Sequence, residues 1–195
     1  MSLIVLASAS PRRAELLTQM GVGYTVSPAH IDETPRPNEA PSQYVQRMAR
    51  EKALAVYRDD DGIVVGADTS VVLAERILGK PNSAAEAVAM LQALSGAHHQ
   101  VLTAVAVATR GECRVKLVTT DVRFRALSGE EIEAYVATGE PMDKAGSYGI
   151  QGLGGIFVDH IRGSYSAVVG LPLQETAELL AAAGLPVWQA WRRNA

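Results

Sequence analysis

The stretch GIVVGADTSVVL, from Gly62 to Leu73, restricts the fold more than any other: it is the most apolar part of the chain, yet it carries a carboxylate, Asp68. So many β-branched residues in a continuous apolar run predict a central strand pair buried on both faces. The pair leads through AERILGKP to a turn at Lys80-Pro81, although Glu75-Arg76 is weak chemistry for a tight hairpin. An ionised Asp68 left unpartnered in such a strand would cost several kcal/mol, so it must be paired, metal-bound or functional. It reads either as a structural carboxylate bonded to backbone amides or as a general base or metal ligand.

The flanking segments supply the other layers. LIVLA, residues 3–7, is a second buried strand, and SPRRAELLTQMG after it changes to helical spacing, with Leu16, Leu17 and Met20 on one face and Gly21 as the stop. YTVSPA is a short strand leading into the proline-bearing loop HIDETPRPNEAP, and a long helix is predicted from about Pro41 to Arg58. Ser83 with Glu86, and Ser128 with Glu131, mark two helix starts, the first helix ending near Gly96. Between them HQVLTAVAVATRG and ECRVKLVTTDVRFRAL read as two long strands turning at Arg110-Gly111, an antiparallel pair that makes the sheet mixed. DKAGSYGIQGLGGIFV is a loop running into a strand; GSYSAVVGLP turns into the last helix, which Gly184 caps.

With 195 residues, 48% of them hydrophobic and 20% charged, the chain suits a single domain spanning 1–195. A net charge of -3 without any basic run excludes a general nucleic-acid or membrane-surface binder, so an anion site has to be local. One cysteine, Cys113, rules out an intrachain disulfide, and no apolar run approaches the roughly 20 residues of a membrane span. A cytoplasmic location is expected.

Further charges stand in unexpected places. With Ser10 as N-cap and Pro11 at N1, Arg12 and Arg13 occupy N2 and N3, where the helix dipole favours anions. That misplacement costs about 0.3–1 kcal/mol per charge. A phosphate would reverse the sign, since helix amides, the Ser8 and Ser10 hydroxyls and two guanidiniums make a site for a phosphate chain; otherwise both arginines are solvated. In the long helix Lys52 interrupts the apolar stripe of Tyr44, Val45, Met48, Ala49 and Ala53, and either snorkels at its edge or faces a ligand. Lys80 is a similar, weaker case. Glu33, beside Asp32, offers further carboxylate oxygens. The histidines at 30, 98, 99 and 160 lack zinc spacing, and the glycines at 146, 149, 152, 154 and 155 match neither GxGxxG nor a P-loop, though they let backbone approach something closely.

LASASPRRAELL, HIDETPRP, AREKA, GADT, GKP, LSGAHHQVLTAVAV, GEPMDKAGSYGIQGLGG and IRGSYSAVVGLPL together resemble the Maf nucleotide pyrophosphatases, over a span from Leu3 to about Leu180. The resemblance implies an α/β fold: an elongated mixed β-sheet flanked by helices, with two lobes around a central cleft, similar to the inosine triphosphate pyrophosphatases. It implies hydrolysis of a nucleoside triphosphate between its α- and β-phosphates, with a divalent cation, Mg²⁺ or Mn²⁺, and Asp68 as proton acceptor. Ser8, Arg12, Arg13, Lys52 and Lys80 would hold the triphosphate, and Glu33, with Asp68 itself, would help hold the cation. Arg12, Thr69 in GADT and Gln151 in GIQG match the branch acting on dTTP and UTP. The sister branch, which prefers 7-methyl-GTP, carries tryptophan, glutamine and glutamate at those places. Homodimers are familiar in the family; the alternatives are a 7-methyl-GTP pyrophosphatase and, from an association of some members with septum formation, a nucleotide-responsive, non-catalytic regulator.

Overall fold

A computed structural model describes residues 4–58 and 62–191; the predicted start of the first strand at Leu3 lies outside the described residues. The strands are β1 (Ile4–Leu6), β2 (Tyr24–Val26), β3 (Ile63–Leu73), β4 (Arg76–Leu78), β5 (His98–Thr109), β6 (Glu112–Phe124) and β7 (Val158–Arg162). The helices are α1 (Pro11–Gln19), α2 (Pro41–Val56), α3 (Ala84–Leu94), α4 (Gly129–Ala137), α5 (Tyr165–Val169), α6 (Leu173–Ala182) and α7 (Trp188–Trp191). The sheet runs β2-β1-β3-β5-β6-β7, with β4 on β3, so the expected mixed α/β architecture is present.

The chain forms two compact units: Met1–Asp68 with Thr103–Val118 and Gly170–Ala195, and Thr69–Leu102 with Thr119–Val169. In the first, β1 pairs in parallel with both β2 and β3, Leu6 standing opposite Val26 and Val65. Parallel neighbours need crossovers, and α1 and α2 supply them. Because α1 leads from β1 to one side while β3 lies on the other, the sheet order reverses between β1 and β3. In open α/β sheets the ground beyond the carboxyl ends of such strands is where ligands bind. Ser8 and Asp68 both lie just past the Leu6–Val65 pair.

The second unit packs its core around Val71, Leu91, Val101, Phe124, Ile132, Tyr135, Tyr148 and Phe157. Ser83 and Ser128 cap α3 and α4 by accepting from the amides of Glu86 and Glu131, as their spacing predicts. Three short 3₁₀ segments, Glu140–Asp143, Ala145–Ser147 and Leu153–Phe157, organise the glycine-rich region before β7.

Three local expectations need correcting. The apolar run is one continuous strand, β3, and it closes on β4 through a tight two-residue turn at Ala74-Glu75. Both turn residues have positive φ, 46° and 65°, as the twist of a tight hairpin requires, although neither is a glycine or an asparagine. The segment before α6 forms the short helix α5 rather than a plain turn, and α6 is not the last helix, since α7 follows. Gly184, at φ 85°, does cap α6: its amide bonds Ala181 and that of Leu185 bonds Leu180, a Schellman pattern. Trp191 of α7 donates its indole N–H to the Met20 carbonyl at 2.8 Å. Among the described residues no helix is long and apolar enough to cross a membrane.

Candidate active site

Helix α2 and strand β3 approach unusually closely because of Gly66. A Cβ there would stand 2.4 Å from the Ala49 carbonyl oxygen and 2.7 Å from the Ala53 nitrogen. Asp68, two residues along β3, shares the face of Gly66, and Lys52 lies on α2 among Ala49, Ala53 and Met48, all buried. Lys52 Nζ donates to Asp68 Oδ1 at 2.8 Å, both residues being 7% exposed. The same ammonium reaches Glu33 Oε1 at 3.1 Å. Lys52 therefore does not snorkel into water; it bridges two carboxylates.

Burial pushes the Asp68 carboxyl above its usual proton affinity, while Lys52 and Arg13 pull it down and Glu33 adds to the rise. A carboxylate of raised proton affinity, held among cations, is suited to accept a proton. Its loop partner is fixed from α2: Tyr44 donates its hydroxyl to the Glu33 carbonyl at 2.8 Å. Arg47 clasps Glu39 at 2.6 and 2.7 Å and bonds the Thr34 carbonyl. Burial, with Asp68 and Glu33 nearby, pushes the Tyr44 phenol up to about 12. It stays a donor.

At the start of α1, Ser10 is the N-cap but makes no side-chain cap, and Pro11 opens the helix. Ser8 Oγ, 8% exposed as a residue, accepts from the Ser10 amide at 3.2 Å and from Arg13 Nη1 at 3.1 Å. Arg13 Nε donates to the Gly170 carbonyl at 2.9 Å, so two edges of its guanidinium are held by protein. Burial lowers the Arg13 pKa, and the charges of Asp68 and Glu33 oppose that fall. Arg13 and the carboxylates thus share one electrostatic neighbourhood.

The first unit accordingly gathers Ser8, Arg13, Glu33, Lys52 and Asp68, with Arg12 on the same helix start. Thr69, Lys80 and Gln151 belong to the second unit: Thr69 half-buried next after Asp68 in β3, Lys80 exposed beyond β4, and Gln151 exposed in the glycine-rich segment. Sequence reasoning missed the Arg47–Glu39 clasp and the Gly170 carbonyl. The first pair is separated by half of a helix and a loop end, and a carbonyl has no residue signature.

Among the described residues no group of three or more His, Cys, Asp and Glu could hold a metal ion. Mg²⁺ does not require such a cage, because it is commonly held by one or two carboxylates together with substrate phosphates and water. Asp68 and Glu33 each bring an oxygen to the same ammonium. Their convergence on one cation fits that donor set.

The family described as Maf-like protein matches residues 3–183. A dTTP/UTP pyrophosphatase of Alcanivorax borkumensis is 57% identical over 190 residues, 96% of this chain and 98% of that protein. A dTTP/UTP pyrophosphatase of Pseudoalteromonas atlantica is 55% identical over 183 residues, 91% of this chain and 95% of that protein. Among solved structures, the Staphylococcus aureus Ham1 protein aligns with 63% of this chain and 71% of its own at 15% identity and a TM-score of 0.43, a likeness too distant to bear on chemistry.

Proposed function

The chain belongs to the Maf-like protein family, and from that premise we propose that it is a nucleoside triphosphate pyrophosphatase that converts dTTP and UTP to the monophosphate and pyrophosphate. The observation that carries the reading is the buried Lys52 ammonium shared by Asp68 and Glu33, beside Arg13 and the open start of α1. A purely nucleotide-binding regulator needs the cations; it does not need a carboxylate of raised proton affinity in a buried strand.

The reaction is a substitution at the α-phosphorus: a water oxygen bonds to phosphorus, the α–β anhydride P–O bond breaks, and pyrophosphate leaves. Asp68 takes the proton that the attacking water loses. Arg12, Arg13, Lys52 and Lys80 hold the phosphate oxygens, with Ser8 and the α1 amides as uncharged donors, so the barrier falls mainly through positioning and charge neutralisation. Lys52 has a double part. A phosphate that draws its ammonium away from Asp68 removes an attraction that lowers the carboxyl's proton affinity, so substrate binding itself strengthens the base.

Asp68 and Glu33 would hold a Mg²⁺ or Mn²⁺ ion, which when bound offsets charge on the phosphates and the departing pyrophosphate. Gln151 and Thr69 offer both donors and acceptors to the edge of a uracil-type base; their assignment rests on the resemblance of GIQG and GADT to the pyrimidine branch. The reading takes residues 1–195 as one cytoplasmic enzyme domain, a homodimer by family resemblance, with no nucleic-acid or membrane partner.

The test is a panel of dTTP, UTP, CTP, 7-methyl-GTP and dATP with Mg²⁺ or Mn²⁺, with products separated by chromatography. Monophosphate and pyrophosphate from dTTP and UTP are expected. Orthophosphate as the first product would overturn the α-phosphate reading, and preferential turnover of 7-methyl-GTP would overturn the substrate.

A further inference from the structure

Three of the glycines that match no nucleotide motif, Gly149, Gly152 and Gly154, close around a carboxylate. Glu140 Oε1 accepts from the Tyr135 hydroxyl at 2.9 Å and the Gly154 amide at 3.2 Å, while Oε2 accepts from the Leu153 amide at 3.0 Å. The Tyr135 oxygen in turn accepts from the Gly149 amide at 3.1 Å. Side chains at these glycines would collide with the hub. A Cβ on Gly152 would lie 2.5 Å from both Glu140 carboxylate oxygens, and one on Gly154 would lie 2.7 Å from the Tyr135 hydroxyl. Gly152 and Gly154 are therefore where backbone must come closest to Glu140 and Tyr135.

Gln151 sits midway between these fastenings, two residues after Gly149 and two before Leu153, with its own side chain exposed. A glycine-rich chain held nowhere would spread Gln151 over many positions, since ordering each residue costs backbone entropy. An ionised carboxylate accepting three hydrogen bonds offsets that cost with charge-assisted bonds, each worth more than a neutral one. Burial raises the Glu140 pKa, but the Leu153 and Gly154 amides and the Tyr135 hydroxyl outweigh it, and the net direction is down. Glu140 is thus ionised and accepting wherever the enzyme works near neutral pH.

We propose that Glu140 is a positioning residue: it holds the segment from Gly149 to Gly154 in one conformation and so lets Gln151 discriminate a uracil-type base from other bases. The proposal rests on the base-reading part assigned to Gln151 above. Glu140 itself touches no substrate.

Glu140→Gln is the direct test, because the amide puts an N–H₂ where one oxygen now accepts a backbone N–H. In the full-length enzyme, amide exchange at Leu153 and Gly154 should accelerate, and the ratio of kcat/KM for UTP over CTP should fall at least tenfold. In a Gln151→Ala background the same change should alter that ratio less than twofold, since a residue acting through Gln151 has nothing left to position. Tyr135→Phe, which removes one donor to Glu140 and the acceptor for Gly149, should move exchange and ratio the same way, and it carries the test if Glu140→Gln does not fold. Unchanged exchange, an equal loss for every nucleotide, or a full effect in the Gln151→Ala background would each overturn the proposal. If Gln151→Ala alone leaves the ratio intact, the fault lies in base reading by Gln151. If it collapses the ratio while Glu140→Gln does not, the fault lies with Glu140.

Discussion

Gly66 lies so close to Ala49 that a Cβ on the strand residue would meet the helix carbonyl at 2.4 Å. This absence of a side chain is what lets α2 bring Lys52 within 2.8 Å of Asp68. Gly66→Ala must push α2 outward, an overpacking that typically costs about 1–3 kcal/mol. Urea unfolding should show a loss of that order, and turnover of dTTP should drop more than tenfold at temperatures where the variant is still folded. Wild-type activity in a folded Gly66→Ala variant would show that the Lys52–Asp68 distance does not matter to the chemistry.

Asp68 is assigned as the base, and a base works only when ionised. Since burial lifts its pKa above the ordinary 3.8, kcat/KM should decline as pH falls through that raised value. Lys52 holds the carboxyl's proton affinity down, so Lys52→Met should shift this acid limb to higher pH as well as lowering the maximum. Asp68→Asn should abolish the limb and cost about 10²–10⁴-fold in turnover. It should keep its fold, because the ionised form is the costly one to bury and Lys52 retains Glu33 at 3.1 Å. A pH profile of kcat/KM decides; a limb that stays put in Lys52→Met contradicts the pairing.

Arg13 spans Ser8 Oγ and the Gly170 carbonyl with two different nitrogens, a fork that one ammonium cannot reproduce. Arg13→Lys keeps the charge and loses the aim. The expected result is a fall in kcat/KM of tenfold or more with little change in melting temperature. Arg12→Lys, at one of the three positions that carry the resemblance to the pyrimidine branch, should be milder for total turnover and alter the balance among nucleotides.

The contrast between these two arginines also marks what the sequence discloses. Capping at Ser83 and Ser128, the apolar stripe broken by Lys52, and the misfit of Asp68 in β3 all depend on residue type at fixed spacing, and all were readable. The Ala74-Glu75 turn was not: its positive φ values come from the β3–β4 pairing, against the local preference of both residues. The partners of Arg13 and Glu140 include backbone groups, which every residue carries alike, so no letter announces them. Arg47 finds Glu39 only because the loop folds back onto α2. The odd charge was visible; the groups that aim it were not.

His99 supplies a pH dependence of stability separate from catalysis. Its Nε2 lies 2.9 Å from the Tyr148 hydroxyl, its ring stands edge-on to Phe124 and Tyr148, and its buried Nδ1 has no partner among the described residues. Protonation would put an N–H on both nitrogens, one of them facing no acceptor. Burial, helped by the neighbouring charge of His98, therefore lowers the His99 pKa from 6.5 to about 4. Between those values the unfolded chain binds the proton and the folded chain does not, so the contribution of neutral His99 is full above about pH 6.5 and is lost as pH falls toward 4. Across the whole window the loss is about 3 kcal/mol, at 1.36 kcal/mol per pH unit. Urea midpoints measured from pH 7 down to 4.5 should fall in the wild type and fall by less in His99→Gln, whose amide still reaches toward Tyr148 but does not titrate. Parallel curves for the two proteins would mean that His99 takes up its proton in the fold as readily as in the unfolded chain and that its Nδ1 has found an acceptor.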